Sequence, residues 1–183
     1  MAFFGTLWAS IGTGGLLGWG EPLSTIATIL IGAALVCGGI VLWRSASRLP
    51  DTGAGDGDGN PMGRSFWLIF GLEGLAIAIA SVVCNAIGRF DLFFSIMAII
   101  VGLHFLPLVR LFGMPLYYTV GTLLCLIGLI GLALVPVQTL IGEREIGARS
   151  LIVGLGSAAV LWGVGFTLWV RGTALLRHAN PVA

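Results

Sequence analysis

Residues 66–112 read FWLIFGLEGLAIAIASVVCNAIGRFDLFFSIMAIIVGLHFLPLVRLF, and this stretch decides the fold. It holds two long apolar segments, 66–88 and 92–112, joined by a turn around Gly88, Arg89, Phe90 and Asp91. A bilayer core of about 30 Å takes roughly 20 apolar residues of α-helix, and each segment reaches that length. Each also carries one ionisable residue deep in the apolar run, Glu73 in the first and His104 in the second. An ionisable group at a helix centre costs about 2.5–3.5 kcal/mol to insert, so such residues face a protein interior or a water-filled cavity. Glu73 lies about eight residues into its helix and His104 about eight from the end of the next. At 1.5 Å per residue both sit about 12 Å from the same membrane face. The antiparallel pair therefore permits a Glu73–His104 contact. On the Glu73 face follow Ala76, Ala80 and Cys84, small residues that admit a close neighbouring helix. On the His104 face lie Met97, Ile100, Val101, Pro107 and Leu108. Pro107 donates no backbone hydrogen bond, which frees the carbonyl of Leu103 beside the histidine.

Working outward, the whole chain has the same character. Of its 183 residues 57% are hydrophobic and 9% charged, and the mean hydropathy is +1.05. A soluble domain carries about 25% charged residues. The expectation is an all-α protein, a polytopic transmembrane helix bundle forming one integral membrane domain over residues 1–183. The nine basic residues are all Arg and the net charge is +1, which excludes a nucleic-acid surface. Cys37, Cys84 and Cys125 fall inside apolar segments and read as small packing residues. No Cys/His spacing points to a metal site.

Residues 1–20 are apolar and Gly-rich, with no charge before Glu21. That is not the pattern of a signal peptide, which has a positive n-region. The segment reads as a first helix at the short limit for a span, with an interfacial or re-entrant segment as the alternative. Gly14 and Gly18 form a G-x-x-x-G pair suited to a close helix contact. Gly20-Glu21-Pro22 is a break, and 23–43 is the second span. Residues 45–64, SASRLPDTGAGDGDGNPMGR, form a Gly/Asp-rich flexible loop. Asp56, Asp58 and Asn60 have the opening spacing of a calcium loop. Pro61 replaces its turn glycine and Trp67 its bidentate acid, so a solvated linker is the reading. After the central pair come a Gly113-Met114-Pro115 break, a fifth span over 115–135, a charged loop over 136–149 and a sixth span over 150–170. The count is six spans, or five plus an interfacial helix.

Arg44, Arg48, Arg64, Arg110, Arg171 and Arg177 then fall on one side, and Arg89, Arg144 and Arg149 on the other. The richer side is cytoplasmic by the positive-inside rule, which puts both termini and the 45–64 loop in the cytoplasm of a bacterial cell, with the bundle in its inner membrane. A weak internal repeat accompanies this order. GEPLSTIATIL at 20–30 resembles GMPLYYTVGTL at 113–123, and LIFGL at 68–72 resembles LIVGL at 151–155. Three spans per repeat make the halves inverted, an arrangement found in transporters. Chance recurrence in an apolar chain is the alternative. Gly156 stands where the repeat would place a second acid.

Glu73 and His104 are the candidate proton-linked or substrate site. Structural hydrogen bonding to helix carbonyls is the bland reading of each. Asn85, Arg89 and Asp91 cluster at the opposite membrane face, as an interface ion pair or a gate. Arg110 with Tyr117 and Tyr118 marks the cytoplasmic boundary, as snorkelling and aromatic anchors or as an anion site. Haem of the bis-histidine type needs a second axial ligand, and His178 lies in the tail; no cofactor or metal is expected. His-Glu-x-x-His, Gly-x-Ser-x-Gly and a phosphate-binding Lys loop are missing, so an enzyme is not expected.

The phrase GLHFLPLVRLF after an EGLAIAIA-type helix resembles small uncharacterised bacterial membrane proteins, over about residues 66–136. The resemblance implies a six-helix integral membrane protein and brings no activity with it. The Gly-x-Pro breaks are also loosely similar to those of the acid-resistance membrane protein family, a pattern too generic to carry a function. Two function classes stay open: a small proton-linked transporter or channel, and a non-catalytic sensor, assembly factor or complex subunit. The partner is the lipid bilayer. Transport through so small a bundle calls for a homodimer, and a membrane-protein partner suits the second class.

Overall fold

The computed structural model describes residues 1–46 and 61–179 of the chain. Six α-helices follow one another: α1 (Ala2–Gly14), α2 (Glu21–Ala46), α3 (Pro61–Ala86), α4 (Phe93–Phe112), α5 (Leu116–Ala133) and α6 (Ala148–Ala179). A single 3-10 turn, Phe90–Leu92, leads into α4, and a two-stranded hairpin, β1 (Thr139–Ile141) and β2 (Arg144–Ile146), leads into α6. The fold is all-α apart from that hairpin. Among the described residues, α2 to α6 are long and apolar enough to cross a membrane.

The first helix is the exception. Its 13 residues extend about 20 Å at 1.5 Å per residue, short of a bilayer core. The expected helix over most of 1–20 ends at Gly14, and residues 15–20 form turns. Yet α1 is packed inside the bundle, where Trp8 is 1% and Ala9 0% exposed. It runs antiparallel to α6: Gly5 lies against Trp162, Gly12 against Gly154, and Gly15 against Gly147 and Leu151. The Gly147 amide closes this end by donating to the Gly15 carbonyl at 2.7 Å. The Gly14–Gly18 contact expected from sequence does not form. The helix has ended by then, and neither residue has a neighbour within 4 Å of its Cβ position. The contact is made two residues earlier, through Gly12.

The other tight pair is α4 with α5, where Gly102 and Gly121 bring the backbones together and Gly128 rests on the Ser95 carbonyl. Lipid tails are as apolar as leucine, so helices in a bilayer associate by close packing, which small residues permit. The core lies where the two tight pairs meet, around Trp8, Ala98, Phe105, Val120, Leu124, Val153 and Leu161. The outside is apolar as well: Leu23 and Leu134 are 77% exposed and Trp67 75%. So much uncovered apolar side chain would drive association in water and suits contact with lipid. The third helix rests mainly on α4 and leaves Leu68, Leu72, Leu75, Ile79 and Val82 exposed.

The loops differ from expectation at their edges. Of the Gly/Asp-rich loop over 45–64, residues 47–60 lie outside the described residues, including Asp56, Asp58 and Asn60. Its flanks are helical, with α2 continuing to Ala46 and α3 starting at Pro61, a proline at a position that needs no amide donor. The charged loop over 136–149 contains the β-hairpin, paired Thr139 with Ile146 and Ile141 with Arg144. Its two-residue turn has Gly142 at φ +65°, the left-handed conformation such hairpins need at the first central position.

Candidate functional site

The third and fourth helices cross antiparallel with aromatic rings setting their register. Phe66 of α3 meets Phe112 of α4 edge-on at 6.1 Å, which brings residue 73 level with residue 104. There Glu73 Oε2 lies 3.2 Å from His104 Nδ1. The distance is that of an ion pair, but the ring nitrogen is not aligned for a hydrogen bond and has no hydrogen-bond partner in the structure. His104 is 9% exposed. The rings of Phe70 and Phe105 meet it edge-on at 4.6 and 5.6 Å. The carboxyl and imidazole are therefore within a small side-chain rotation of sharing one proton.

The pair opens into a partly open cavity of about 380 Å³ lined from α1, α3, α4 and α6. Phe4 and Trp8 line it from α1, Phe70 from α3, Met97 and Phe105 from α4, and Leu161 from α6. Glu73 and His104 are the polar side chains of the wall, and the Met1 α-amino group lines it as well. At Gly74 nothing lies within 4 Å of the Cβ position, which leaves room beside the carboxyl. The contribution of α1 was not read from sequence. Phe4 and Trp8 are one helical turn apart, a spacing that places both on one face but does not say which helix that face meets. Pro107 lies inside α4 as expected.

The polar candidates at the opposite end form a different structure. Arg89 pairs with Asp91 at 3.1 Å through Nε. Asp91 also receives Arg149 Nη1 at 2.6 Å. Arg149 is 8% exposed, and its Nε and Nη2 donate to the Val135 carbonyl at 3.2 and 3.0 Å. One guanidinium thus ties the start of α6 to the turn before α4 and to the end of α5. Sequence reading left Arg149 among the loop charges. The signal available was its place next to an apolar helix, which does not distinguish a buried arginine from a solvated one. Hydrogen bonding to Asp91 holds the Arg89 guanidinium above its already high range, so it stays charged. Asn85 is exposed at the end of α3.

Arg110, in the last turn of α4, is exposed, as is Tyr118. Tyr117 instead turns inward, with its ring 5.7 Å from Phe105 and 6.1 Å from Phe112. These three do not converge on Glu73 and His104. A second cavity of about 340 Å³ lies between α1 and α2, lined by the hydroxyl residues Ser10, Thr13, Thr25 and Thr28. Among the described residues no three His, Cys, Asp or Glu side chains come together as a metal site would require.

No protein-family model matches the chain, and neither does any curated protein or solved structure. The functional reading therefore rests on the residues themselves.

Proposed function

We propose that this is a small proton-linked membrane transporter in which Glu73 and His104 form the exchange site. The single observation that carries the reading is the 3.2 Å carboxyl–imidazole approach at the wall of a cavity inside the bundle. Intramembrane ionisable pairs are costly and mark proton or substrate pathways. Carriers place their sites near the midplane between helix groups. The cavity wall is mostly apolar, which supports a carrier over a water-filled channel. The wider reading is an inner-membrane protein acting as a homodimer, with α2 to α6 as its spans and the C-terminus cytoplasmic; the six-span arrangement, with both termini cytoplasmic and two inverted halves, needs the 13-residue α1 to cross as well.

A lipophilic carbodiimide tests this without a known substrate, because it modifies protonated carboxyls. In sealed proteoliposomes the pH inside and outside is varied separately, and labelling of Glu73 is read by mass spectrometry. A carrier gives labelling that follows the pH on both faces. Labelling that ignores both is the result that sinks the proposal.

The second reading, a sensor or subunit that binds another membrane protein, is favoured by one observation. The outer face of α3 is uncovered along its length, from Trp67 to Val82. Labelling that follows the pH on one face only would support it.

A further inference from the structure

We infer that the cavity's ligand is a lipophilic organic monocation, an amine or quaternary ammonium on an aromatic or branched apolar body, with its charge against Glu73. The inference deepens the transport reading and shares with it the premise that Glu73 and His104 meet the ligand.

Four features select this class. The first is size: about 380 Å³ is in the range of small-molecule pockets, roughly 300–1,000 Å³. The second is the wall. Two polar side chains cannot replace the hydration shell of a metal ion or the many hydroxyls of a sugar, and polar groups buried without partners are costly. The third is sign. Among the described side chains that line the cavity there is one acid, Glu73, and no Arg or Lys; the Met1 α-amino group lines it too, and Glu73 is the group that favours a cation. The fourth is the aromatic surface of Phe4, Trp8, Phe70 and Phe105, whose ring faces attract cations once water is removed.

Charge balance supplies the coupling. A bare carboxylate in this wall is neutralised either by a proton or by the incoming cation. When the cation enters, the proton leaves Glu73, and His104 Nδ1 is the nitrogen placed to take it, at 3.2 Å and with no other hydrogen bond. The imidazolium then releases that proton to water outside the site, so one cation has replaced one proton and the net charge of the site is unchanged. The ionisable groups facing the cavity are the Glu73 carboxyl, the His104 imidazole and the Met1 α-amino group.

The test is equilibrium dialysis of the purified full-length protein in nanodiscs near pH 8, with radiolabelled phenethylamine and its neutral isostere 2-phenylethanol as probes. The amine is expected to bind at least tenfold more tightly than the alcohol. Glu73→Gln is expected to remove that preference, and Phe70→Leu to weaken amine binding a few fold. Equal binding of alcohol and amine, or an amine preference that survives Glu73→Gln, would overturn the inference. If Glu73→Gln does not fold, Glu73→Asp replaces it: weaker amine binding with the preference kept supports the inference, and a preference for the alcohol overturns it. The two proposals separate cleanly. Amine preference with carbodiimide labelling blind to pH leaves the ligand class standing and removes transport. Labelling that follows the pH on both faces without amine preference does the reverse.

Discussion

Two side chains inside the bundle carry polar chemistry of opposite kinds. His104 packs edge-on against Phe70 and Phe105 and lies 3.2 Å from Glu73. His104→Leu leaves the buried carboxyl without that neighbour and is expected to cost about 1–3 kcal/mol. The same variant should move the pH at which Glu73 labelling responds. A thermal shift assay and the carbodiimide assay read the two effects separately. Arg149 is the structural counterpart. Removing it strands the Val135 carbonyl and one side of Asp91. Arg149→Ala is expected to cost about 1–3 kcal/mol, read from the denaturant midpoint in detergent. Arg149→Lys should recover only part of this, because an ammonium lacks the fork that serves both acceptors. Arg89→Ala should leave the midpoint unchanged, since its ion pair is exposed.

At the level of elements, α3 and α4 were legible because ~20-residue apolar runs have one stable solution in a bilayer. Their antiparallel register put Glu73 and His104 at one depth before any coordinate was known. The first helix was less legible. Its apolar run of about 20 residues includes six in turns, and hydropathy does not register backbone direction. Nor did composition distinguish Gly12, which touches Gly154, from Gly14, which touches nothing. The contrast is testable. Gly12→Leu is expected to destabilise by at least about 1–3 kcal/mol through overpacking against α6. Gly14→Leu should cost far less. A steric-trap or denaturant unfolding measurement in bicelles decides between them. The hairpin escaped because its three-residue strands sit among Glu and Arg, which read as a loop; Gly142 before Glu143 was the local signal.

For the molecule as a whole, the arginine asymmetry sets the proposed orientation, and in that orientation the tie between Arg149, Asp91 and Arg89 would lie at the extracytoplasmic end. With Cys37, Cys84 and Cys125 replaced by alanine, Glu143→Cys is expected to react with an impermeant maleimide in intact cells, and Arg110→Cys only after permeabilisation. The reverse pattern would invert the topology. What sequence could not supply was the third dimension of the site: Phe4 and Trp8 come from the far end of the chain and line the same cavity as Glu73. The purpose of that cavity turns on whether the carboxyl and imidazole act as one unit. Infrared difference spectroscopy in lipid, scanned across about pH 5 to 9 where imidazole and perturbed carboxyl groups titrate, measures this directly, with Glu73→Gln as the blank. The expected result is a Glu73 carboxyl band that appears and disappears within the scan, at a midpoint that moves in His104→Ala. A band fixed in one state throughout, and indifferent to His104, would contradict a coupled proton site and leave the pair as structural packing.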